Sequence, residues 1–451
     1  MQTTEVQPKA ELPSATQRTA DDRAPRYTHP QAVLWVVCLI GLISVAGIAL
    51  PYPVLAPLFG NAVLNDFNHW QQIPPSILLG IALAANPLGM LIGSASLGAL
   101  SDVYGRRRIL ALALSLAIVG YLCSALSLWL AWYPAFVLSR FLTGLCEGSV
   151  SICRAIAADL HPQIDRSKGI SWMNSALYAA WLVGPLVGGA TMHLGDAVPF
   201  LIAALAMLPC LLLLGWLLPA DAVPVSDAAT SDSAAPRLSV WQALRQHNSL
   251  RLLAVPALQL MALAQLTYTL GLNAFYEFYP LWLVEQHGFT GWDIGLITAL
   301  LCALMTLVSA IGMARFSQRV QPLRGAMLAV GCYGLMLAVL PLTSGGWVWL
   351  WLVLCGIPNA MFSAWFQVYV TARHGELGLG RVMGLLTLLM CLGNVVIALL
   401  GGVLAQWGSH WVLWTGAGLM LLACAQLSYL FYQQRALSHC ATSHCATDGR
   451  G

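Results

Sequence analysis

A series of long apolar runs constrains this chain most, because it recurs from residue 32 to residue 433. Each run holds roughly 20 residues, the length that a helix needs to cross the hydrocarbon core of a bilayer. Only 9% of the 451 residues are charged, whereas soluble proteins carry about 25% charged residues. The sequence therefore predicts an all-α membrane protein. We expect twelve transmembrane spans, at 32–56, 76–99, 109–130, 133–158, 170–194, 197–217, 252–283, 292–314, 324–342, 346–371, 382–406 and 409–433.

A polar segment divides these spans into two groups of six. It contains "PADAVPVSDAATSDSAAP", a composition rich in Pro, Ala, Ser and Asp that is typical of a flexible linker. The predicted order is a polar N-terminal tail (1–31), a six-helix half (32–217), a linker (218–251), a second six-helix half (252–433) and a C-terminal tail (434–451).

Similarity between spans 5 and 11 indicates that the two halves arose by duplication. Arg stands three residues before Gly in both, at Arg166 and at Arg381, and both spans end in a glycine pair, Gly188–Gly189 and Gly401–Gly402. Repeated halves of a membrane transporter usually enclose a site near the bilayer midplane that opens to each side in turn. We expect such a site here.

The basic residues predict the orientation of the spans. All but two of the 21 Lys and Arg residues fall in the two tails, the linker and the loops on the same side. Loops that carry Lys and Arg stay in the cytoplasm. We therefore expect both termini to be cytoplasmic, and the net charge of +3 reflects this asymmetry and not a nucleic-acid interface.

The two remaining cations lie within span 4, together with an acid. Arg140, Glu147 and Arg154 recur at intervals of seven residues, which places them on one helix face. Counted from Tyr133, Glu147 lies roughly 21 Å into the span, and each arginine lies about 10 Å from it along the axis. That separation excludes a salt bridge within the helix. Because a charge in mid-membrane is costly, the face should line a cavity.

Glu147 is the candidate for a proton-coupling site, with Arg140 adjusting its proton affinity. Burial and a nearby cation change the proton affinity of a carboxyl in opposite directions. A carboxyl on which the two effects nearly balance can gain or lose its proton as the cavity opens to each side. The alternative is a structural ion pair with another helix.

Span 7 is a candidate wall of a substrate pocket. It combines aromatic and hydrogen-bonding side chains with the acid Glu277, which suits an aromatic or cationic substrate. The tyrosines of this span would alternatively form an aromatic belt at the membrane surface. The candidate substrate-binding residues are Asn86, Tyr178, Gln265, Asn273, Tyr276, Glu277, Trp365 and Gln367.

The loop after span 2 carries a specific motif, Gly98-x-x-x-Asp102-x-x-Gly105-Arg106-Arg107-Arg108. It resembles the signature of the major facilitator superfamily at the same place in the chain. The resemblance implies the two-half, twelve-helix fold of that family. It also implies a cytoplasmic gate or latch formed by Gly98, Asp102, Gly105, Arg106 and, at the end of span 4, Asp159.

Two further motifs are similar to those of the drug–proton antiporters within that superfamily, including the tetracycline exporters. Span 5 contains Gly184-Pro185-x-x-Gly188-Gly189, which looks like their antiporter motif. Span 4 contains Arg140 with Gly144 four residues on, which is similar to the start of their span-4 motif. In that family the span-4 arginine is implicated in proton transfer. The family often has an acid in span 1, which this chain lacks, so the coupling role falls on Glu147.

The sequence thus favours a proton-coupled exporter of small amphipathic compounds that works by alternating access in the cytoplasmic membrane. Alternatives are an exporter of one metabolite, such as a siderophore or a sugar derivative, a proton-coupled importer, or a sensor without transport. An enzyme is not expected, because no nucleophile–base arrangement or metal cluster is evident. We expect protons, a small-molecule substrate and the lipid bilayer as partners, no nucleic acid, cofactor or metal, and a monomer.

Overall fold

The computed structural model describes residues 29–60, 64–160, 162–218, 256–316, 321–374 and 379–447. These residues form α-helices joined by short turns and 3-10 segments, without a β-strand among them. The linker predicted at 218–251 lies almost entirely outside the described residues.

The helices follow the twelve predicted spans in order. Their bounds, by span, are Pro30–Ala49 with Tyr52–Gly60 (1), Pro75–Tyr104 (2), Arg106–Trp129 (3), Tyr133–Glu147 with Val150–Asp159 (4), Arg166–Thr191 (5), Val198–Leu217 (6), Pro256–His287 (7), Gly291–Phe316 (8), Pro322–Val339 (9), Trp347–Leu354 with Gly356–His374 (10), Leu379–Leu404 (11) and Ser409–Thr447 (12). A helix satisfies its own backbone polar groups, which an apolar segment in lipid must do.

Eleven of the twelve spans are long and apolar enough to cross a membrane by length and composition. Span 7 is the exception within the described residues. Its helix is long, with 32 residues, but Gln, Asn and Glu side chains lower its apolar character. Buried spans of a bundle tolerate such residues when these face the protein interior.

Three of the twelve spans, 1, 4 and 10, each consist of two helices separated by a break. Span 1 breaks beside Pro51, which has no N–H to donate. Span 4 breaks at Gly148 and Ser149, directly after Glu147, and the carbonyl of Gly148 accepts a hydrogen bond from the Ser151 hydroxyl at 2.7 Å. Span 10 breaks at Cys355. Breaks of this kind at membrane depth occur where the backbone is buried in protein.

Among the described helices, the two halves meet mainly through spans 1 and 7, 2 and 11, and 5 and 8, and span 1 also contacts span 8. We call the side on which span 1 begins the terminal face and the opposite side the distal face. The close contacts between the halves lie near the distal face. There, a Cβ added to Gly60 would meet Val284, one at Gly80 would meet the backbone of Ala398, and one at Gly189 would meet the backbone of Gly291.

Candidate proton and substrate site

Glu147 is held by two hydrogen bonds inside the N-terminal half. Its side chain is only 2% exposed. The hydroxyl of Tyr121 in span 3 donates to Oε1 at 2.8 Å, and the side-chain amide of Asn86 in span 2 donates to Oε2 at 2.8 Å. Both carboxyl oxygens of this mid-span acid therefore have a partner, as buried polar groups require.

Arg140 lies two helical turns from Glu147 and is 3% exposed. Its Nε and Nη1 atoms have no hydrogen-bond partner among the described residues. The guanidinium interacts with the Tyr121 hydroxyl, and its Cζ lies 6.0 Å from the ring centroid of Phe200 in span 6. Tyr121 thus stands between the arginine and the acid. The predicted absence of a direct salt bridge agrees with this arrangement.

A seam of glycines fixes span 4 against span 2. A Cβ added to Gly144 would lie 2.0 Å from the carbonyl oxygen of Asn86, and one added to Gly148 would lie 2.3 Å from the carbonyl carbon of Gly93. A Cβ at Gly89 would lie 2.2 Å from the oxygen of Phe141. Only glycine permits two helix backbones to approach so closely. The seam brings Asn86 within reach of Glu147.

A cavity of about 600 Å³, measured with its opening to solvent, lies between the halves. Its lining includes Arg140 as the single charged residue. The other lining residues are apolar, aromatic or amide side chains from spans 1, 2, 5 and 11: Ile48, Pro51, Tyr52, Leu55, Ala82, Leu83, Asn86, Pro87, Met90, Trp181, Met390, Cys391 and Asn394. The mostly apolar lining with a few polar side chains suits a small amphipathic molecule.

The antiporter-like motif of span 5, Gly184 to Gly189, lies at the distal contact between the halves. Gly184 packs on the backbone of Ala46 and Gly188 on that of Leu50, both in span 1. Gly189 packs on Gly291 and Gly295 in span 8, and the carbonyl of Pro185 faces Gly295. The motif therefore joins its own half to the other half.

The repeat that we identified in span 11 makes the equivalent contact. A Cβ at Gly402 would lie 2.8 Å from the carbonyl oxygen of Ser76 and 3.1 Å from Cα of Gly80, both in span 2. Gly401 packs against the ring of Phe278 in span 7. The glycine pairs of spans 5 and 11 thus occupy related positions on two sides of the molecule.

The residues predicted to form a latch lie at the terminal face. Arg106 and Asp159 form an ion pair. Gly105 adopts φ of 99°, a conformation that side-chain-bearing residues rarely take, and it separates spans 2 and 3. A Cβ at Gly98 would meet only Ser151 Oγ, at 3.7 Å, so the tight helix approach lies at Gly144 and not here. The side chain of Asp102 lies outside the described part of the chain.

Of the eight candidate substrate residues, the cavity lining includes only Asn86. Tyr276 and Asn359 bond to one another, and Trp365 packs on Gly325 of span 9. Tyr178 and Gln367 are exposed, as is Arg154, whereas Asn273 and Glu277 are buried. The amide nitrogen of Gln265 contacts Thr269 at 3.3 Å. The structure does not bring these eight residues together in one pocket.

Four residues of the site were not among the sequence candidates: Tyr52, Tyr121, Trp181 and Asn394. Each is a polar or aromatic side chain within an apolar span, and all but Tyr52 lie near its middle. That position is the signal that could have identified them, because polar groups in mid-membrane usually face a cavity or a partner.

Comparison with known proteins agrees with this geometry. The Major Facilitator Superfamily model matches residues 32–396. The tetracycline resistance protein of class E from Escherichia coli is 26% identical over 404 residues, 87% of this chain and 93% of that protein. The class B protein of Escherichia coli is 30% identical over 174 residues, 38% of this chain and only 40% of the relative.

The fold also matches a solved D-xylose–proton symporter with a TM-score of 0.68 and 18% identity, covering 89% of this chain and 97% of that one. At this identity the likeness concerns the fold alone. The family model extends from span 1 into span 11, so it covers the first six-helix half and most of the second. The chain therefore belongs to the Major Facilitator Superfamily of membrane transporters.

Proposed function

We propose that the protein is a proton-coupled exporter that moves small amphipathic compounds across the cytoplasmic membrane by alternating access. The observation that carries this proposal is a hydrogen-bonded acid in mid-span, Glu147, beside a cavity built from both halves and lined by Arg140. The similarity to proteins named for tetracycline resistance supports export.

In this proposal the terminal face is cytoplasmic, as the distribution of Lys and Arg predicts. The distal glycine contacts then close the cavity toward the outside, so that substrate enters from the cytoplasm. Tyr52, Trp181 and Asn394 bind the substrate together with Asn86. Rocking of the halves about the cavity then transfers the substrate outward.

Glu147 couples this movement to protons. The Tyr121 and Asn86 donors act on its proton affinity in one sense and burial acts in the other, so a change in hydration during rocking changes its proton occupancy. Arg140 reaches the same Tyr121 hydroxyl. The occupancy of Glu147 and the charge that the cavity presents are therefore linked through one hydroxyl group.

Transport by the purified protein in proteoliposomes tests the proposal. An imposed pH gradient should drive accumulation of tetracycline or of amphipathic dyes, and Glu147→Gln should abolish this coupling while downhill exchange remains. Glu285→Gln is a matched control, because that acid lies at the distal end of span 7, where it accepts a hydrogen bond from Ser409. Undiminished coupling in Glu147→Gln would refute the role of Glu147.

The direction of movement separates the remaining alternatives. Substrate movement along the proton gradient would indicate import instead of export. Movement of one metabolite alone in a panel of compounds would indicate a dedicated exporter. A protein that binds a ligand but moves none under any gradient would be a sensor.

A further inference from the structure

A second buried acid, Glu277 in span 7, differs from Glu147 in having no partner. Its side chain is 3% exposed, and neither carboxyl oxygen has a hydrogen-bond partner among the described residues. Glu285, two turns further along the same helix, does have one, because the hydroxyl of Ser409 donates to it at 2.5 Å. Glu277 is also absent from the lining of the central cavity.

Glu277 lies on the face of span 7 that closes against span 1. Leu281 and Val284 follow it at intervals of four and three residues, which places the three side chains on one helix face. A Cβ added to Gly60 of span 1 would lie 2.9 Å from Val284 Cγ1 and 3.2 Å from Leu281 Cδ1. The distal ends of the two spans are therefore in tight contact on this face.

The register of the two spans places Tyr52 opposite Glu277. Tyr52 precedes Gly60 by eight residues on span 1, as Glu277 precedes Val284 by seven on span 7. The Tyr52 hydroxyl lies in electrostatic range of the Glu277 carboxyl, and it contacts the amide of Asn394 in span 11. Because Tyr52 also lines the cavity, it connects the cavity with the buried acid.

Within the C-terminal half, the titratable groups near Glu277 are phenols and thiols. Tyr276 and Tyr279 on span 7 turn toward Asn359 and Thr298, Tyr333 comes from span 9, and Cys302 from span 8. The charged residues Arg140 and Glu147 lie in electrostatic range of the Tyr52 hydroxyl. Glu277 forms no ion pair with a described residue of any span that packs on span 7.

An ionised carboxyl without a hydrogen bond is not stable in such an apolar contact. It must take up a proton, or the contact must open so that water reaches it. We propose that Glu277 is a second proton-binding site and that its protonation permits the distal ends of spans 1 and 7 to close. Its carboxylate takes the proton from the distal aqueous side and becomes a neutral acid on closure.

This inference rests on the proposed function only for the direction in which protons flow. A proton taken up from the distal side closes the distal contact, and its release through Tyr52 to the cavity favours opening of that contact. Closing the distal contact without bound substrate therefore requires uptake of a proton from the outside. Reopening that contact follows release of the same proton to the inside. This order is the one that exchange of substrate for protons requires.

The equilibrium between distal-open and distal-closed forms tests the proposal without any transport. Spin labels on noncanonical amino acids at Leu64 and Trp347, exposed residues at the distal ends of the two halves, leave the native cysteines in place. Distances are measured in the full-length protein in lipid nanodiscs between pH 5 and pH 9. In the wild type the closed-to-open ratio should fall with rising pH, by up to about tenfold per unit for one linked proton.

Glu277→Gln mimics the neutral acid and should stay closed, with its ratio changing less than about twofold over the whole range. Glu277→Asp keeps an ionisable group and should retain a pH response, as should Glu285→Gln. A pH response in Glu277→Gln equal to that of the wild type would overturn the proposal. So would closure that follows the concentration of Na⁺ at constant pH, because the site would then bind a metal ion.

The same measurement on Glu147→Gln separates this inference from the proposed function. If Glu147→Gln transports normally, the proposed coupling role of Glu147 fails. A distal contact that still responds to pH through Glu277 would nevertheless support the second site. Conversely, loss of transport in Glu147→Gln with no pH response at Glu277 would leave the coupling role in place and remove the second site.

Discussion

The hydroxyl of Tyr121 lies 2.8 Å from Oε1 of Glu147 and donates a hydrogen bond to it between spans 3 and 4. The same hydroxyl faces the guanidinium of Arg140. One phenol therefore joins an acid and a cation that their own helix holds two turns apart. In the proposed mechanism, a change in the protonation of Glu147 reaches Arg140, and so the cavity, through this group.

Tyr121→Phe tests the importance of this link. A hydrogen bond to a charged group contributes about 1.5–3 kcal/mol, so its loss should lower proton-driven transport by roughly tenfold or more, since about 1.4 kcal/mol corresponds to a factor of ten. Asn86 still donates to Oε2 of Glu147, and the variant should fold. Initial rates in proteoliposomes with and without a pH gradient measure the effect. A rate equal to that of the wild type would contradict it.

Gly47→Ala should also lower proton-driven transport, because Gly47 packs against the Tyr121 hydroxyl. A Cβ at Gly47 would lie 1.9 Å from the Tyr121 hydroxyl oxygen, so this hydroxyl must leave the position from which it donates to Glu147. Gly215→Ala is the control, because nothing lies within 4 Å of its added Cβ. Both variants are compared in the same transport assay. Equal rates for the two variants would show that the position of Tyr121 does not matter.

The glycine seam between spans 2 and 4 should affect stability as well as coupling, because it also places Asn86 beside Glu147. Gly144→Ala forces a Cβ to within 2.0 Å of a backbone oxygen that cannot rotate away. Overpacking of this kind typically costs about 1–3 kcal/mol. We expect a lower melting temperature in detergent for Gly144→Ala and Gly148→Ala. Gly98→Ala, whose added Cβ makes only an ordinary contact, should melt as the wild type does.

The ion pair of Arg106 and Asp159 should affect gating more than stability. Both side chains are partly exposed, at 28% and 37%, and exposed pairs contribute about 0–1 kcal/mol. Asp159→Asn should therefore shift the melting temperature little but change the transport rate several-fold. The double charge reversal Arg106→Asp with Asp159→Arg should restore part of the rate. No recovery in the double variant would argue against a direct role for this pair.

Much of the fold could be predicted from the sequence because membrane helices are specified by length and apolarity. Spans such as 109–130 and 197–217 carry this signal in their own residues. The break after Glu147 carries no comparable signal. Gly148 is compatible with a continuous helix, and the interruption accompanies its contact with Gly93, which is distant in sequence.

The candidate site was likewise only partly predictable from the sequence. Glu147 and Arg140 were identified because full charges in an apolar span are conspicuous. The donors to Glu147 could not be assigned, since Asn86 and Tyr121 come from other helices whose rotation depends on glycine packing. Span 7 was expected to line the pocket as a whole, but helix rotation turns Glu277 toward span 1 and Tyr276 toward Asn359.

The paired glycines of spans 5 and 11 should control closure of the distal face. Gly189 packs against the backbone of Gly291 and Gly295 in span 8. Gly402 packs against the backbone of Ser76 and Gly80 in span 2. Gly189→Ala and Gly402→Ala each insert a methyl group into a backbone contact between the halves, so each should shift the equilibrium toward the distal-open form. Label distances across the distal face measure this shift, and transport should fall in both variants while melting in detergent changes little. Because the two contacts are related by the internal repeat, the two variants should behave alike. A shift in only one of them would mean that the halves do not share the closure equally.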